Sequence, residues 1–235
     1  MNLFKVKFKE RVKRVGAVAS FRFIPDRKPD FIPGQFLQVI FDPVNSGNRL
    51  LNKYLSFSAS PERDYLEVTK RLSGSDFSDK LEALQPGDEV WLKGPLGNCV
   101  FRPEQRKIGF LIGGIGITPV ISILEYIADR KLKTDVVLLY SNRSEEEIAF
   151  RPEIDCWRKE NSNLKVCYTL TECQSKDSEC LSGYIDEQTL AARMPDARDR
   201  TIFIFGPPVM VKAMHEVCLK NVPGEQIKTE NFLGY

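Results

Sequence analysis

The spacing of apolar and polar residues divides the chain into two parts with different periods. In the first hundred residues apolar side chains alternate with polar ones, as in Phe4-Lys5-Val6-Lys7-Phe8. Turn residues such as Pro33-Gly34 and Pro86-Gly87 separate these runs. Short alternating runs are typical of strands with one buried face, and many of them in succession predict a small antiparallel β-barrel. One helix is expected within it, at Ser78–Leu84.

The rest of the chain alternates short apolar runs with helical patterns. The predicted strands are Ile108–Ile112, Val136–Tyr140, Lys165–Leu170, Thr201–Phe205 and Gln226–Asn231. The predicted helices are Pro119–Arg130, Glu145–Lys159, Asp186–Arg193 and Pro208–Leu219. This alternation predicts a parallel sheet with crossover helices. The expected fold class is therefore two-domain: an antiparallel β-barrel over residues 1–102, followed by an α/β parallel-sheet domain over residues 103–235.

Composition narrows the class of protein without naming an activity. The 235 residues are 42% hydrophobic and 28% charged, and the formal net charge is +2. A net charge this small creates no strong electrostatic field that would attract nucleic acid. The sequence contains no apolar run of about 18 residues, so no membrane span is predicted. None of the six cysteines forms a Cys-x-x-Cys pair, so no metal site is predicted and a cytoplasmic protein with reduced thiols is expected. Cys173 and Cys180 lie in a polar stretch and are expected to be exposed.

A glycine-rich turn joins the first predicted strand of the second half to its helix. It reads Gly113-Gly-Ile-Gly-Ile-Thr-Pro119. Glycines let a backbone approach a diphosphate closely, and the N–H groups of a helix start face the anion. Thr118 is predicted to cap the helix, and Pro119 suits its first turn. The ordinary Gly-x-Gly-x-x-Gly pattern is not matched, and a turn of this kind also occurs for packing alone.

Other motifs accompany this turn in a fixed order. They are Pro33-Gly-Gln-Phe36, Lys53-Tyr-Leu-Ser-Phe-Ser-Ala-Ser-Pro61, Gly74-Ser-Asp-Phe-Ser78, Gly206-Pro-Pro-Val-Met210 and the ending Glu230-Asn-Phe-Leu-Gly-Tyr235. The set resembles the ferredoxin–NADP reductase superfamily over essentially the whole chain. The resemblance implies that the barrel binds a flavin, FAD in preference to FMN, and that the α/β half binds NAD(P)H.

The resemblance also implies a flavin site. Lys53–Ser56 corresponds to the family's Arg-x-Tyr-Ser motif, with Lys53 in place of Arg and Leu55 in place of Tyr. Lys53 keeps a cation for the flavin phosphates but lacks the bidentate fork of Arg. Leu55 would cover the isoalloxazine without stacking, and Tyr54 lies one position early. The hydroxyl of Ser56, a catalytic candidate, would face flavin N5.

Two further segments belong to the same implied flavin site. The backbone of Val68, Thr69 and Lys70 would bind the pyrimidine edge of the flavin. The N–H groups of Phe77 and Ser78 would bind flavin phosphate at a helix start.

The implied nucleotide site comes from four segments. Gly114, Gly116, Thr118 and Pro119 would face the pyrophosphate, and Thr169 with Thr171 the nicotinamide half. The nicotinamide mononucleotide would approach Gly206, Pro207 and Pro208. Phe205 stands where many relatives have a cysteine, so no thiol is expected on the hydride path.

The choice between NADH and NADPH depends on the loop after the second parallel strand. Asn142 and Arg143 are the candidate residues there, and Arg143 with Ser141 would suit the 2′-phosphate of NADPH. Glu145–Glu147 would oppose a phosphate unless they point away as the first turn of a helix. The sequence interpretation favours NADPH.

The C-terminus supplies the last candidates. Tyr235 matches an aromatic residue that covers the flavin face in some relatives, and Phe232 is the alternative. Glu230 matches an acidic residue near the flavin, either a proton relay or a nicotinamide contact.

The expected function is a flavin-dependent NAD(P)H oxidoreductase of the ferredoxin–NAD(P) reductase type. Because no iron–sulfur motif is present, electrons are expected to leave to ferredoxin, flavodoxin or an oxygenase component. A net charge of +4 in the first 101 residues favours an acidic carrier. A free-flavin reductase and an electron-transfer subunit of a larger complex are the alternatives.

Overall fold

The computed structural model describes residues 2–45, 47–172 and 180–232. Contacts divide the chain into two compact units. The first unit holds residues 1–101 together with 118–129, and the second holds residues 102–117 and 130–235.

The first unit is built around an antiparallel barrel. Its strands are β1 (Asn2–Lys13), β2 (Val18–Pro25), β3 (Phe36–Ile40), β4 (Asn52–Ser56), β5 (Leu66–Arg71) and β6 (Glu89–Leu96), and helix α1 spans Asp76–Ala83. They pair in the order β4-β3-β6-β1-β2-β5. An antiparallel bridge between Phe57 and Val68 then joins the chain just after β4 to β5. This closing seam confirms the predicted barrel.

Alternation along the strands produces the barrel core. Phe21 and Phe23 of β2 are buried, as are Leu37 and Val39 of β3 and Val68 of β5. Successive strand residues point to opposite faces, so these positions fill one interior. The apolar members of the alternating pattern therefore became the core, as the sequence predicted.

Helix α2 (Thr118–Asp129) belongs to the first unit by its contacts. The carboxylate of Glu125 accepts a hydrogen bond from the Ser60 N–H at 2.6 Å and another from Arg63 Nε at 2.9 Å. The helix is thereby tied to the loop that follows the barrel seam.

The second unit is a six-stranded parallel sheet with helices. Its strands are β7 (Lys107–Gly113), β8 (Asp135–Asn142), β9 (Leu164–Leu170), β10 (Cys180–Ser182), β11 (Thr201–Gly206) and β12 (Ile227–Asn231). Its helices are α3 (Arg151–Glu160), α4 (Glu187–Arg193) and α5 (Pro208–Leu219). The strand order is β10-β9-β8-β7-β11-β12, with every pair parallel. The predicted α/β domain is confirmed.

Several boundaries differ from the sequence predictions. The single helix predicted at Glu145–Lys159 is a short 3₁₀ turn at Glu145–Glu147 followed by α3, which begins only at Arg151. Pro152 lies in the first turn of α3, where proline fits best. Strand β10 was not predicted because three residues carry too little pattern.

Two local predictions were wrong. Thr118 does not cap α2: it is the first residue of that helix, which continues directly from a 3₁₀ turn at Gly114–Ile117. Cys180 is buried rather than exposed, because it pairs with Tyr168 in the sheet. Cys173 lies outside the described residues.

Two findings concern absences within the described part of the chain. None of its helices is long and apolar enough to cross a membrane. Nor does that part contain a cluster of three or more His, Cys, Asp or Glu side chains placed to hold a metal ion.

Candidate functional site

The two glycines of the predicted diphosphate turn have different surroundings. Gly114 has a φ of +51°, and nothing lies within 4 Å of where its Cβ would be. The position of a Cβ on Gly116 is only 2.6 Å from the carbonyl oxygen of Phe205 in β11. Gly114 therefore leaves open space at the turn, whereas Gly116 lets the turn pack against the neighbouring strand.

A buried tyrosine holds the open glycine in place. The hydroxyl of Tyr140, on β8, donates to the carbonyl oxygen of Gly114 at 3.0 Å. The side chain of Tyr140 is fully buried, so its ring fixes the hydroxyl beneath the turn. Sequence analysis missed this residue, because an apolar run of a predicted strand does not show where a hydroxyl will point.

Buried polar atoms without hydrogen-bond partners concentrate at one edge of the parallel sheet. Among the described residues such atoms belong to Ser122, Asn142, Thr169 and Glu230. Three of these four are the last or second-last residues of β8, β9 and β12. An unpartnered buried polar atom is costly, and a ligand that supplies the missing partner removes the cost.

The carboxyl ends of five neighbouring strands thus present candidate residues. Asn142 ends β8, Gly206 ends β11 and the glycine turn follows β7, while Thr169 and Glu230 are the second-last residues of β9 and β12. In open α/β sheets ligands bind outside the carboxyl ends of the strands. The donors, acceptors and open backbone found here suit a nucleotide.

Glu230 is the most perturbed carboxyl group of this edge. Burial raises its pKa from 4.5 to about 7, because the charged form loses its water. One carboxyl oxygen, Oε2, has no hydrogen-bond partner. The group is therefore half protonated near neutral pH and can both hold and release a proton there.

The titration of Glu230 predicts how stability changes with pH. Between pH 4.5 and about 7 the unfolded chain ionises this carboxyl group and the folded chain does not, so rising pH favours unfolding. The full difference corresponds to about 3 kcal/mol at 1.36 kcal/mol per pH unit. A Glu230→Gln variant lacks this titration. Its unfolding free energy relative to wild type is expected to rise by roughly 2–3 kcal/mol from pH 5 to pH 8, measured by urea denaturation.

Glu225→Gln, which removes an exposed carboxylate from the same C-terminal segment, is the control for lost charge. A difference between wild type and Glu230→Gln that stays constant from pH 5 to pH 8 would contradict the assignment of the raised pKa to Glu230.

The loop after β8, which was predicted to choose between NADH and NADPH, holds its arginine in an ion pair. Arg143 donates to both carboxylate oxygens of Glu147, through Nε at 3.1 Å and Nη2 at 2.5 Å. These bonds raise the pKa of the Arg143 guanidinium. Glu145 of the same loop lies 3.5 Å from Arg151, the first residue of α3. Because Glu145–Glu147 form a 3₁₀ turn outside α3, they do not point away along a helix as the sequence interpretation allowed.

The remaining candidates of the second unit lie around the end of β11. Gly206 closes that strand beside Gly113, and Pro207 and Pro208 lead into α5. The N–H of Phe232 donates to the carbonyl oxygen of Gly206 at 3.0 Å. Phe232 is therefore anchored at this edge, and Tyr235 lies outside the described residues.

The predicted flavin motif occupies β4. Ser56 is the last residue of the strand, only 4% exposed, and pairs with Phe36 of β3. Leu55 packs into the barrel core, whereas Tyr54 is exposed and meets Phe36 edge-on. Lys53 is two residues before Leu55 on the same strand, so the two side chains lie on the same face of the sheet. The structure thus buries Leu55 in the barrel interior and leaves Tyr54 as the exposed ring of this motif.

The backbone candidates on β5 are accompanied by a second lysine. The side chains of Val68 and Thr69 are buried, and so is that of Lys70, whose Nζ donates to the Arg71 carbonyl at 3.0 Å. Burial lowers the pKa of Lys70, and the nearby charge of Lys53 adds to the effect. The structure therefore brings two cations together near the motif, which suits an anionic ligand.

Helix α1 begins at Asp76, two residues before the predicted start at Ser78, and it has a serine cap that was not predicted. Ser75 is the N-cap, and its hydroxyl accepts from the Ser78 N–H at 3.4 Å. Nothing lies within 4 Å of where a Cβ on Gly74 would be. Phe77 is fully buried in the first turn. The long cap bond and the open space at Gly74 are compatible with a phosphate at this helix start.

Comparisons with known proteins match both halves of the chain. The family described as "Oxidoreductase FAD-binding domain" matches residues 3–101, and the one described as "Oxidoreductase NAD-binding domain" matches residues 110–216. The fold and the two family matches thus define an oxidoreductase with FAD- and NAD(P)-binding domains.

Individual relatives narrow this class. NADH-cytochrome b5 reductase 1 of Dictyostelium discoideum is 30% identical over 83% of this chain and 69% of its own length. An NADH nitrate reductase of Cucurbita maxima is 29% identical over 71% of the chain, which spans only 21% of that longer protein. The cytochrome b5 reductase domain of Ulva prolifera nitrate reductase superposes with a TM-score of 0.84 at 23% identity, covering 97% of each chain. The chain belongs to the ferredoxin–NADP reductase and cytochrome b5 reductase family.

Proposed function

We propose that this chain is an NADH-dependent flavoprotein reductase, with residues 1–102 as the FAD domain and 103–235 as the NADH domain. Electrons pass from NADH to bound FAD and then to a separate carrier protein. The observation that carries the proposal is the set of unpartnered buried polar atoms of Asn142, Thr169 and Glu230 at the carboxyl edge of the sheet. A nucleotide would satisfy these atoms.

Each residue has a limited role in this proposal. When bound, NADH supplies a hydride that the flavin accepts and later releases as electrons. The Ser56 hydroxyl donates a hydrogen bond at the reacting flavin nitrogen. The turn at Gly114 gives the dinucleotide diphosphate close access to backbone N–H groups. Lys53 supplies a cation to the flavin phosphates, and Glu230 holds a proton near neutral pH.

An anaerobic visible spectrum of the purified protein tests the proposal. A flavin band that bleaches on addition of NADH supports it. A colourless protein that shows no flavin absorption band after addition of FAD or FMN would contradict the assignment as a flavoenzyme.

We favour NADH, in contrast to the NADPH expectation from sequence. A 2′-phosphate that binds Arg143 would have to share the guanidinium with Glu147, which already accepts two of its hydrogen bonds and offsets its charge. The three carboxylates Glu145–Glu147 would also repel a phosphate. The relatives named NADH-cytochrome b5 reductase support the same choice.

A Glu147→Gln variant is expected to use NADPH better. Neutralising Glu147 releases Arg143 for a 2′-phosphate, so kcat/KM for NADPH should rise roughly tenfold, the scale of one hydrogen bond between charged groups. The value for NADH should change little. Steady-state kinetics with both nucleotides measure the ratio.

Glu145→Gln is the matched control, because it removes the same charge from the same turn but from beside Arg151. The argument fails if Glu147→Gln raises kcat/KM equally for both nucleotides, or if the Glu145→Gln control shifts the ratio as far.

The acceptor proposed is a small acidic electron-carrier protein, such as cytochrome b5 or ferredoxin. The net charge of +4 in the first 101 residues would favour its approach. Flavodoxin and the iron–sulfur component of an oxygenase have the same charge requirement. Reduction rates of these carriers, compared at equal ionic strength, discriminate among them.

A free-flavin reductase is the second candidate, and the flavin motif favours it. Lys53 lacks the bidentate geometry with which arginine binds phosphate, and Leu55, which packs into the barrel core, offers no aromatic ring to stack on a flavin. Flavin lost during gel filtration, with activity restored by added FMN, would support this candidate over a tightly bound FAD.

A further inference from the structure

A closed ring of buried hydrogen bonds lies beside the proposed flavin strands. It comprises Arg14 of the β1–β2 turn, Ser20 of β2, Ser58 just after β4, and Glu67 and Thr69 of β5. We call it the Glu67 ring. The three hydroxyl residues and Glu67 are each no more than 3% exposed. No step of the proposed reaction yet uses these side chains, although the backbone of Thr69 is a proposed flavin contact.

The direction of every hydroxyl bond in the ring follows from its two ends. Ser58 donates to Glu67 Oε1 at 3.0 Å, since a carboxylate only accepts. Ser58 has a single hydroxyl proton, so at the 2.7 Å contact Thr69 must donate to Ser58. By the same reasoning Ser20 donates to Thr69 at 2.6 Å. Arg14 Nε donates to Ser20 at 2.8 Å, and Arg14 Nη2 returns to Glu67 Oε2 at 3.1 Å.

The four bonds that link Arg14, Ser20, Thr69, Ser58 and Glu67 therefore all run in one direction, from the arginine to the carboxylate, and the direct bond from Arg14 to Glu67 joins the same two ends. Hydrogen bonds arranged in one direction polarise and strengthen one another, so the ring acts as a unit. Glu67 is the only acceptor at which the chain of hydroxyl groups can end. A second arginine, Arg22, donates to Glu67 Oε2 at 2.8 Å and balances its buried charge.

The ring lies across the seam that closes the barrel. The N–H of Ser58 donates to the backbone carbonyl of Glu67 at 2.8 Å, next to the bridge between Phe57 and Val68. The Ser58 side chain adds two bonds to β5 at the same place. Ser56 is two residues earlier and ends β4. The ring therefore fixes Ser58, and Ser58 is only two residues after Ser56. The position of the Ser56 hydroxyl depends on this short segment.

We propose that the Glu67 ring positions Ser56 for hydride transfer, with Ser58 as the residue that connects the ring to the reacting strand. Ser58 is a positioning residue that acts through Ser56. The inference rests on the proposed function, because it needs Ser56 beside the flavin. It deepens that proposal by assigning buried groups that do not touch a ligand.

A Ser58→Ala variant tests the inference in the flavin-loaded full chain. It removes the two side-chain bonds that connect the seam to the ring and leaves the Ser56 hydroxyl chemically intact. At saturating NADH the rate of flavin reduction in an anaerobic stopped-flow experiment is expected to fall roughly tenfold, because small misplacements of reacting groups are costly. The Kd for NADH should remain at the wild-type value. An unchanged rate accompanied only by a lower unfolding midpoint would overturn the inference and leave the ring a structural element.

A double-variant cycle separates positioning from other effects. If Ser58 acts through Ser56, the Ser56→Ala/Ser58→Ala variant should be no slower than Ser56→Ala alone. Multiplied losses would overturn the inference. If Ser56→Ala itself has no effect, the proposed role of Ser56 fails, whereas an effect of Ser56→Ala without one of Ser58→Ala rejects only the ring.

Two further variants keep the test decisive. Ser60→Ala removes another buried hydroxyl two residues further on, one that accepts from the Glu62 N–H outside the ring. It should leave the reduction rate unchanged, and a tenfold loss here would overturn the inference. Should Ser58→Ala fail to fold, Ser20→Ala breaks the same ring on β2 and is expected to slow flavin reduction several-fold. A wild-type rate in folded Ser20→Ala would count against the ring.

Discussion

A Ser56→Ala variant is expected to retain its flavin yet undergo reduction by NADH about 10²-fold more slowly. The physical reason is the loss of a fixed hydrogen-bond donor at the atom where charge develops, an effect of roughly 10²–10³ in rate in other enzymes. Flavin retention should persist because the remaining contacts of the proposed flavin site, at Lys53, β5 and the start of α1, are untouched.

The surroundings of Ser56 allow this variant to remove the hydroxyl group without disturbing the strand. Its side chain is 4% exposed and its backbone is held in the ladder with Phe36, so alanine removes one oxygen without loosening the strand. Anaerobic stopped-flow absorbance of the flavin band measures the rate at saturating NADH, and the bound flavin is quantified from the starting spectrum. Ser60→Ala is the matched control. A Ser56→Ala rate within twofold of wild type would remove Ser56 from the proposed mechanism.

Much of the fold follows from local pattern. Alternation places Phe21 and Phe23 of β2 in the barrel core, because strand side chains point to opposite faces in turn. The strands of the second unit show continuous apolar runs instead, as in β7, where all residues from Ile108 to Gly113 are buried. Both patterns extend over enough residues to outweigh local exceptions.

The failures occur where a few residues decide the outcome through distant contacts. Phe150 adopts a left-handed conformation just before α3 and is buried, which separates the Glu145–Glu147 turn from the helix. Periodicity alone could not show this break. Cys180 is likewise buried because it pairs with β9, a strand that lies before residues 173–179 in the sequence.

The residues of the candidate site also fall into two groups, those that could be predicted from sequence and those that could not. Asn142, Thr169 and Glu230 could be nominated from sequence through the family resemblance, and the parallel sheet brings all three to one edge. The sequence could not predict the Tyr140 bond to Gly114 or the Glu67 ring, because each joins residues that are distant in the chain. Only the three-dimensional structure shows which partner a hydroxyl group reaches. The proposed change from NADPH to NADH has the same origin, because the sequence shows Arg143 but not its two hydrogen bonds to Glu147.

The two glycines of the diphosphate turn are expected to fail in opposite ways when replaced by alanine. A methyl group on Gly116 would lie 2.6 Å from the Phe205 carbonyl oxygen and 2.9 Å from the Gly206 Cα. Both contacts are backbone atoms of a central strand, so no side-chain rotation relieves them. We expect Gly116→Ala to lower the unfolding free energy by about 3 kcal/mol, the upper part of the range for overpacking.

Gly114→Ala should instead fold and lose affinity for nucleotide. Its φ of +51° costs alanine only about 1–2 kcal/mol, and the methyl group meets no atom within 4 Å. That open space is where the proposal puts the diphosphate, so NADH and ADP-ribose should both bind at least roughly tenfold more weakly, as for one lost charged contact. Urea denaturation and calorimetric titration separate the two effects.

Gly224→Ala is the control for both variants, since its nearest contact would be Leu219 at an ordinary 3.7 Å. If Gly116→Ala proves as stable as this control, packing does not explain that glycine. If Gly114→Ala binds nucleotide as the wild type does, the open side of the turn is not where the diphosphate lies. Opposite failures at two positions of one turn would show that the sequence keeps one glycine for the fold and the other for the ligand.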